Sequence, residues 1–238
     1  MHERVMKYSL HWTELNNFKA RLTERLVKRY IEKILIPALR KQGWNQVIFE
    51  PHTWFGDEVE QNKNRPKHLQ IFWNFESFFF IRNGLYPTKV FLKSFKKLTK
   101  VLENTPDGFL VKLRKTKQTK LLKDALEEFG LQNRGLSFGE YSYIPSEHDG
   151  NEQLQVVEGE IEVVEVKTGN AIIPSHQMVS YRKVLEERYV LRFFHVNIIS
   201  FEKNEFEIEE KLVTTPEELE AVQLQERKRK TETQNHNS

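Results

Sequence analysis

The sequence of 238 residues contains no cysteine. This absence excludes a disulfide scaffold, a thiolate zinc site, an iron–sulfur cluster and a thiol nucleophile. The chain also has no apolar run of about eighteen residues or more, so we expect no transmembrane helix and no membrane partner. Its first residues, Met1 to Arg4, lack the layout of a secretory signal peptide. We therefore expect a cytoplasmic protein.

The chain has little net charge, although charged residues are abundant. Lys and Arg exceed Asp and Glu by only three, and charged residues make up 30% of the chain. Abundant Lys and Glu without cysteine would suit a thermophile. Hydrophobic residues at 38% and aromatic residues at 12% exclude a disordered chain and suffice for a folded core.

The small net charge hides a strongly basic segment between residues 82 and 120. Its basic residues are Arg82, Lys89, Lys93, Lys96, Lys97, Lys100, Lys112, Arg114, Lys115, Lys117 and Lys120. Only Glu103 and Asp107 oppose them. Such a segment can bind a polyanion by counterion release, and the alternative is a solvated helix face. The residues we assign to nucleic-acid contact are Lys89, Lys93, Lys96, Lys97, Lys100, Lys115 and Lys117.

The first half of the chain is predicted to be mostly helical. Apolar residues at three- and four-residue spacing predict a helix over 14–42, which Pro37 should kink or end. A strand is predicted over 44–54. Residues 61–129 read as helices, with a short extended piece at 108–113. We interpret 61–134 as a helical, basic and aromatic insertion after an N-terminal unit of residues 1–60.

The apolar period changes to two after residue 135, which predicts strands. The expected elements are a strand over 136–144, a hairpin of 154–157 and 161–167 turning at Glu158–Gly159, a helix over 174–188 and a buried strand over 190–201. We assign 135–212 to a catalytic core, and 213–238 to a final helix with a disordered tail beyond Lys228. This order predicts an α/β fold with a mixed sheet flanked by helices.

The strand over 161–167 carries the residues with the clearest chemistry. Because side chains alternate across a strand, Glu165 and Lys167 project from one face, in continuation of apolar Ile161 and Val163. A carboxylate and an ammonium at the end of a buried surface are costly unless they are paired or hold a metal. On the following helix, Gln177 and Tyr181 lie four residues apart and share a face.

These residues resemble the PD-(D/E)XK nuclease superfamily, in particular its RecB-like and archaeal nuclease members. That superfamily combines a strand ending in Glu-x-Lys with an upstream acid, and the RecB-like branch adds Gln-x-x-x-Tyr on the next helix. Here Glu165-Val166-Lys167 and Gln177-x-x-x-Tyr181 are similar to that pattern over about a quarter of the chain. The resemblance implies a restriction-endonuclease-like core.

The resemblance also implies a set of site residues and a cofactor. Glu165, an upstream acid and the Val166 carbonyl would bind Mg²⁺ or Mn²⁺, while Lys167 would serve the attacking water and Gln177 and Tyr181 would support the site. The upstream acid has several candidates: Glu140 fits best, and Asp149, Asp107 and Asp57 are the alternatives. Glu24 matches an accessory acid on the first helix, or it is a surface partner of Lys28.

The implied function is a metal-dependent nuclease that hydrolyses phosphodiester bonds of DNA. Two alternatives stay open: a catalytically inactive nucleic-acid-binding protein with a nuclease-like fold, or an interaction protein that docks a partner through the aromatic stretch 69–80. That stretch could also support a homodimer, since dimers are common in the superfamily. Glu165 and Lys167 could form a plain ion pair, and His195, within an apolar strand, is interpreted as a core histidine.

Overall fold

A computed structural model describes residues 12–51, 80, 83–102, 106–128, 136–138, 141–143, 152–169, 171–200, 202–203 and 205–236. The helices are α1 (Trp12–Tyr30), α2 (Ile36–Lys41), α3 (Lys89–Val101), α4 (Leu122–Glu128), α5 (Ser175–Glu186) and α6 (Pro216–His236). The strands are β1 (Gln46–Pro51), β2 (Leu85–Pro87), β3 (Gly108–Leu121), β4 (Leu136–Phe138), β5 (Tyr141–Tyr143), β6 (Gln153–Thr168), β7 (Val190–Ser200) and β8 (Glu205–Val213). None of the helices in these ranges has the length and apolarity needed to cross a bilayer.

The first helical segment is interrupted just before Pro37, as its sequence predicts. A π-helical turn over Ile31–Leu35 joins α1 to α2, and the Ile36 N–H donates to the Ile31 carbonyl. Proline has no N–H to continue the regular helical hydrogen bonds. The wider π turn accommodates it, so the helical segment continues into α2. The buried face, which includes Val27, Ile31, Leu35 and Leu39, stays continuous through the interruption.

The main sheet has six strands and is mixed, which confirms the predicted α/β class. Its order is β1-β3-β6-β7-β8, and β2 lies beside the first part of β6. Strand β7 is parallel to β6, whereas β1, β3 and β8 run antiparallel to their neighbours. The parallel pair is joined by α5, the usual crossover element. Strands β4 and β5 form a separate two-stranded sheet.

Both faces of the central strands are buried. On one face Phe109, Val163 and Phe193 belong to a core that includes Phe95 of α3, Tyr181 of α5 and Leu219 of α6. The opposite face packs Leu110, Val164 and Phe194 against α1 and the π turn. This explains the nearly continuous apolar run of β7, since a strand covered on both faces shows little alternation.

Strand β6 runs unbroken through Glu158–Gly159, so the predicted hairpin is wrong. Leu113 of β3 lies opposite Gly159, and a Cβ at Gly159 would be 2.5 Å from the Lys112 carbonyl oxygen and 2.7 Å from Leu113 Cδ2. The glycine therefore allows β3 to approach closely, rather than marking a turn.

Replacing Gly159 by alanine should destabilise the protein by about 1–3 kcal/mol, because the new methyl group overpacks the β3–β6 contact. Urea unfolding measures the change. The matched control is Gly169→Ala, where φ is +56° and no heavy atom lies within 4 Å of the new Cβ. That variant incurs only backbone strain, about 1 kcal/mol. A smaller loss at Gly159 than at Gly169 would contradict the close-approach explanation.

Three further segments differ from their sequence predictions. Strand β3 extends to Leu121 and lies between β1 and β6, where a short extended piece within a helical insertion was expected. The predicted single strand over 136–144 is instead two short antiparallel strands in its described parts. Helix α6 continues to His236, past the predicted start of disorder. Its Arg229 pairs with Glu209 of β8 and with Glu226, which lies one turn earlier in the same helix.

Candidate functional site

The candidate site lies at the carboxyl end of β6, where Glu165 and Lys167 project from one face. Glu165 is only 1% exposed. The ammonium of Lys167 contacts Oε1 of Glu165, and the Tyr181 hydroxyl donates to Oε2 of the same carboxylate. Lys167 Nζ also donates to Gln177 Oε1 at 3.2 Å. The structure thus brings together all four residues of the two motifs.

Helix α5 positions Gln177 and Tyr181 above this strand end. Gly169, with φ +56°, leaves β6, and Pro174 precedes the first turn of α5 in an extended conformation. Because residues four apart share a helix face, Gln177 and Tyr181 both face the end of β6. Tyr181 is fully buried. Its hydroxyl therefore holds Glu165 from within the core, while Gln177 holds Lys167 nearer the surface.

A second carboxylate reaches the site from the residue before β3. Oδ2 of Asp107 accepts a hydrogen bond from the Val166 N–H at 2.6 Å. Strand β3 begins with Gly108 opposite Val164, so Val166 lies beyond the end of that pairing. The N–H and C=O of one strand residue point to the same edge, so the Val166 carbonyl also faces the Asp107 side.

Of the four candidates for the upstream acid, Asp107 is the one that the structure places beside Glu165. Glu140, Asp149 and Asp57 lie outside the described residues. The signal for Asp107 was present as the literal Pro106-Asp107 dipeptide. In the sequence a predicted helix separates Asp107 from Glu165, which favours Glu140 as the upstream acid. The pairing of β3 with β6 instead brings Asp107 to the end of β6.

The electrostatics of the site show a concentration of negative charge. Burial, together with the nearby Asp107 charge, raises the pKa of Glu165 to about 7, despite the opposing effect of Lys167. Burial and then Asp107 also raise the pKa of Glu24 on α1. Burial, followed by the Glu165 charge, raises the pKa of Tyr181 well above its usual value. Asp107 is therefore electrostatically coupled to both Glu165 and Glu24.

Asp107 and Glu165, with the Val166 carbonyl, are the oxygen donors that could hold a cation. Within the described ranges, no three Asp, Glu or His side chains converge as a metal-binding group. The donors present at the end of β6 are hard oxygens, the type that Mg²⁺ and Mn²⁺ prefer. Mg²⁺ in particular is commonly held by one or two carboxylates and completes its shell with water.

The basic residues of α3 form a stripe along one face of that helix. Lys89, Lys93, Lys97 and Lys100 line a groove of about 490 Å³ with Leu92. We call these four residues the lysine face. Lys97 pairs with Glu187 at the end of α5. The side chain of Lys96 lies outside the description, and Lys115 and Lys117 are exposed on the second half of β3.

The lysine face runs toward the candidate site. At the start of α3, the Thr88 N–H donates to the Val157 carbonyl at 2.8 Å. After α3 the chain reaches Asp107, which contacts Val166 nine residues further along β6. Helix α3 therefore follows β6 in the same direction, and its last lysine, Lys100, lies nearest in sequence to Asp107.

No protein-family model, curated protein or solved structure matches the chain. The similarity to the PD-(D/E)XK pattern consequently depends on the residues and geometry of this chain.

Proposed function

We propose that the protein is a metal-dependent nuclease that hydrolyses phosphodiester bonds of DNA. The observation that carries the proposal is the meeting of Asp107 with the strand end that bears Glu165 and Lys167. Glu165 is buried, and Asp107 and Lys167 beside it are half-buried, an arrangement of charges that is costly for stability alone. They are the groups that phosphodiester hydrolysis needs, since it requires positioning and relief of negative charge.

The residues present fit a divalent cation. Burial and repulsion between Asp107 and Glu165 disfavour the double negative charge, which a hard cation would compensate. Asp107, Glu165 and the Val166 carbonyl would hold Mg²⁺ or Mn²⁺. When bound, such a cation lowers the pKa of water and neutralises charge on phosphate.

The chain's own groups have distinct tasks around that position. Lys167 orients the attacking water and stabilises developing negative charge on the phosphate. Gln177 holds the Lys167 ammonium through its Oε1 atom, 3.2 Å away. Tyr181 fixes the orientation of Glu165 by donating to Oε2, which leaves the hydroxyl proton on the tyrosine. The lysine face contacts the phosphates of the DNA that extends beyond the site.

The proposal is tested by incubating linear, circular and branched DNA with the protein in Mg²⁺, in Mn²⁺ and in EDTA. We expect cleavage in at least one of the two metals and none in EDTA. The pattern of products distinguishes an endonuclease from an exonuclease. Salt-sensitive DNA binding without any product would instead favour the inactive nucleic-acid-binding alternative, and the absence of both binding and cleavage would overturn both interpretations.

A further inference from the structure

A buried polar cluster lies on β7 beside the candidate site. His195 pairs with Lys167 in the parallel β6–β7 register, so the two side chains project from the same face of neighbouring strands. Adjacent strands are about 4.8 Å apart. The imidazole therefore stands next to the lysine, although the sequence alone indicated only a core histidine.

Glu226 of α6 holds one edge of this imidazole. His195 Nδ1 and Glu226 Oε2 lie 3.0 Å apart, and neither atom has a well-aligned hydrogen bond to any described residue. The other oxygen of Glu226 accepts from Arg229 Nη1 at 3.1 Å. Glu226 is 1% exposed, and His195 is 6% exposed. A carboxylate buried so deeply needs charged partners, and the part of the chain that the structure describes supplies His195 and Arg229.

The position of Glu226 determines which edge of the ring faces the site. Arg229, one turn further along α6, reaches Glu209 of β8, so this part of the helix lies on the β8 side of His195. Nδ1 accordingly faces β8 and α6. The edge of the ring that carries Cδ2 and Nε2 points away from Glu226, so we expect it on the side of β6 and Lys167. Nε2 is not among the buried polar atoms that lack a partner.

We propose that His195 is a further catalytic residue of this site, whose Nε2 donates to a phosphate oxygen of the substrate. Glu226 is a positioning residue that fixes the imidazole through Nδ1. Both nitrogens donate in the doubly protonated ring, Nδ1 to Glu226 and Nε2 to the phosphate. His195 and Lys167 would then contact the phosphate from neighbouring strands. This inference rests on the proposed function, because it assumes a phosphodiester substrate at Lys167.

The experiment compares His195→Gln with His195→Asn. The glutamine amide nitrogen reaches the place of Nε2, whereas the asparagine amide nitrogen reaches that of Nδ1. If Nε2 contacts the substrate, His195→Gln should keep kcat within about 10-fold of the unaltered protein, and His195→Asn should lower it about 100-fold or more. A residue needed only as an anchor for Glu226 would give the reverse order.

Equal rates for the two variants, or a faster His195→Asn, would overturn the inference. If the variants give that result while the parent protein cleaves DNA, the proposed function stands and only the role of His195 is wrong. If the parent protein cleaves no DNA, the proposed function and the role of His195 are both wrong. NMR of the unaltered protein supplies a measurement that does not depend on the variants folding. On saturation with a DNA duplex in EDTA, the Nε2 signal of His195 should shift, and an unmoved signal would show that the ring does not touch the substrate.

Discussion

Replacing Lys167 by alanine, or Asp107 by asparagine, should lower the rate of DNA cleavage by about 10² to 10³-fold or more. Lys167→Ala removes the ammonium that contacts Glu165 and Gln177. Asp107→Asn keeps the size of the side chain and an oxygen able to accept from the Val166 N–H, but it removes the negative charge proposed to hold the cation. Single-turnover cleavage in Mn²⁺ measures both effects.

The chain offers a matched control for each change. Lys123→Ala removes an exposed lysine from α4. Asp124→Asn removes a carboxylate from α4. Both controls should cleave within about threefold of the parent rate, since surface-side changes away from a site have small effects. Full activity in Lys167→Ala would contradict the proposed function, while full activity in Asp107→Asn would return the role of upstream acid to Glu140, Asp149 or Asp57.

The sequence predicts those features of the site that depend on residues close together in the chain. Strand alternation puts Glu165 and Lys167 on one face, and helical periodicity puts Gln177 and Tyr181 on another. Both placements follow from residues no more than four apart. The structure adds that these two faces meet, with Lys167 in contact with Gln177 and Tyr181 in contact with Glu165.

The upstream acid was harder to predict because its position depends on sheet order. Asp107 is 58 residues before Glu165 in the sequence and becomes its neighbour only because β3 pairs with β6. The second half of β3, including Arg114, Lys115 and Lys117, is polar and exposed, so its composition does not indicate a strand. A central strand with half its length solvated has no clear apolar period.

Buried charges show the same limit on the other face of the sheet. Arg192 lies in the apolar run of β7, and its Nε atom is 2.5 Å from Glu162 Oε2. Lys112 of β3 contacts the other oxygen of Glu162 at 2.7 Å. From the sequence alone, each of these charged side chains would be predicted to be solvent-exposed. Only the pairing of the strands shows that Glu162 lies between these two cations, and that Glu160 and Glu210 supply further negative charge to Lys112 and Arg192.

Glu165→Gln should make the metal-free protein more stable at alkaline pH while it removes activity. Burial and the Asp107 charge raise the pKa of Glu165 from 4.5 to about 7 on folding. The folded state therefore favours the protonated carboxyl. Its contribution to stability is fully present below about pH 4.5 and is lost as the pH rises through about 7. The pKa difference corresponds to about 3 kcal/mol above pH 7.

Urea unfolding in EDTA at a series of pH values between about 5 and 8 measures this effect. The free energy of unfolding of Glu165→Gln, minus that of the parent protein, should grow by about 2–3 kcal/mol over this range. Subtraction cancels the contributions of groups that titrate in the same way in both proteins. The control is Glu220→Gln, at a surface carboxylate 59% exposed, which should show no such growth.

Adding Mn²⁺ at about pH 8 should reverse the order of the two stabilities. A cation that binds the folded parent protein stabilises it by mass action, whereas the amide of Glu165→Gln removes one of the two carboxylates proposed to hold it. A difference in free energy of unfolding between the two proteins that stays constant at every pH would contradict the raised pKa of Glu165. A gain in stability at high pH without any effect of Mn²⁺ would keep the electrostatic account of Glu165 and count against the metal site. The pH dependence and the effect of Mn²⁺ together therefore separate the energetic cost of burying the Glu165 carboxylate from its proposed role in binding the cation.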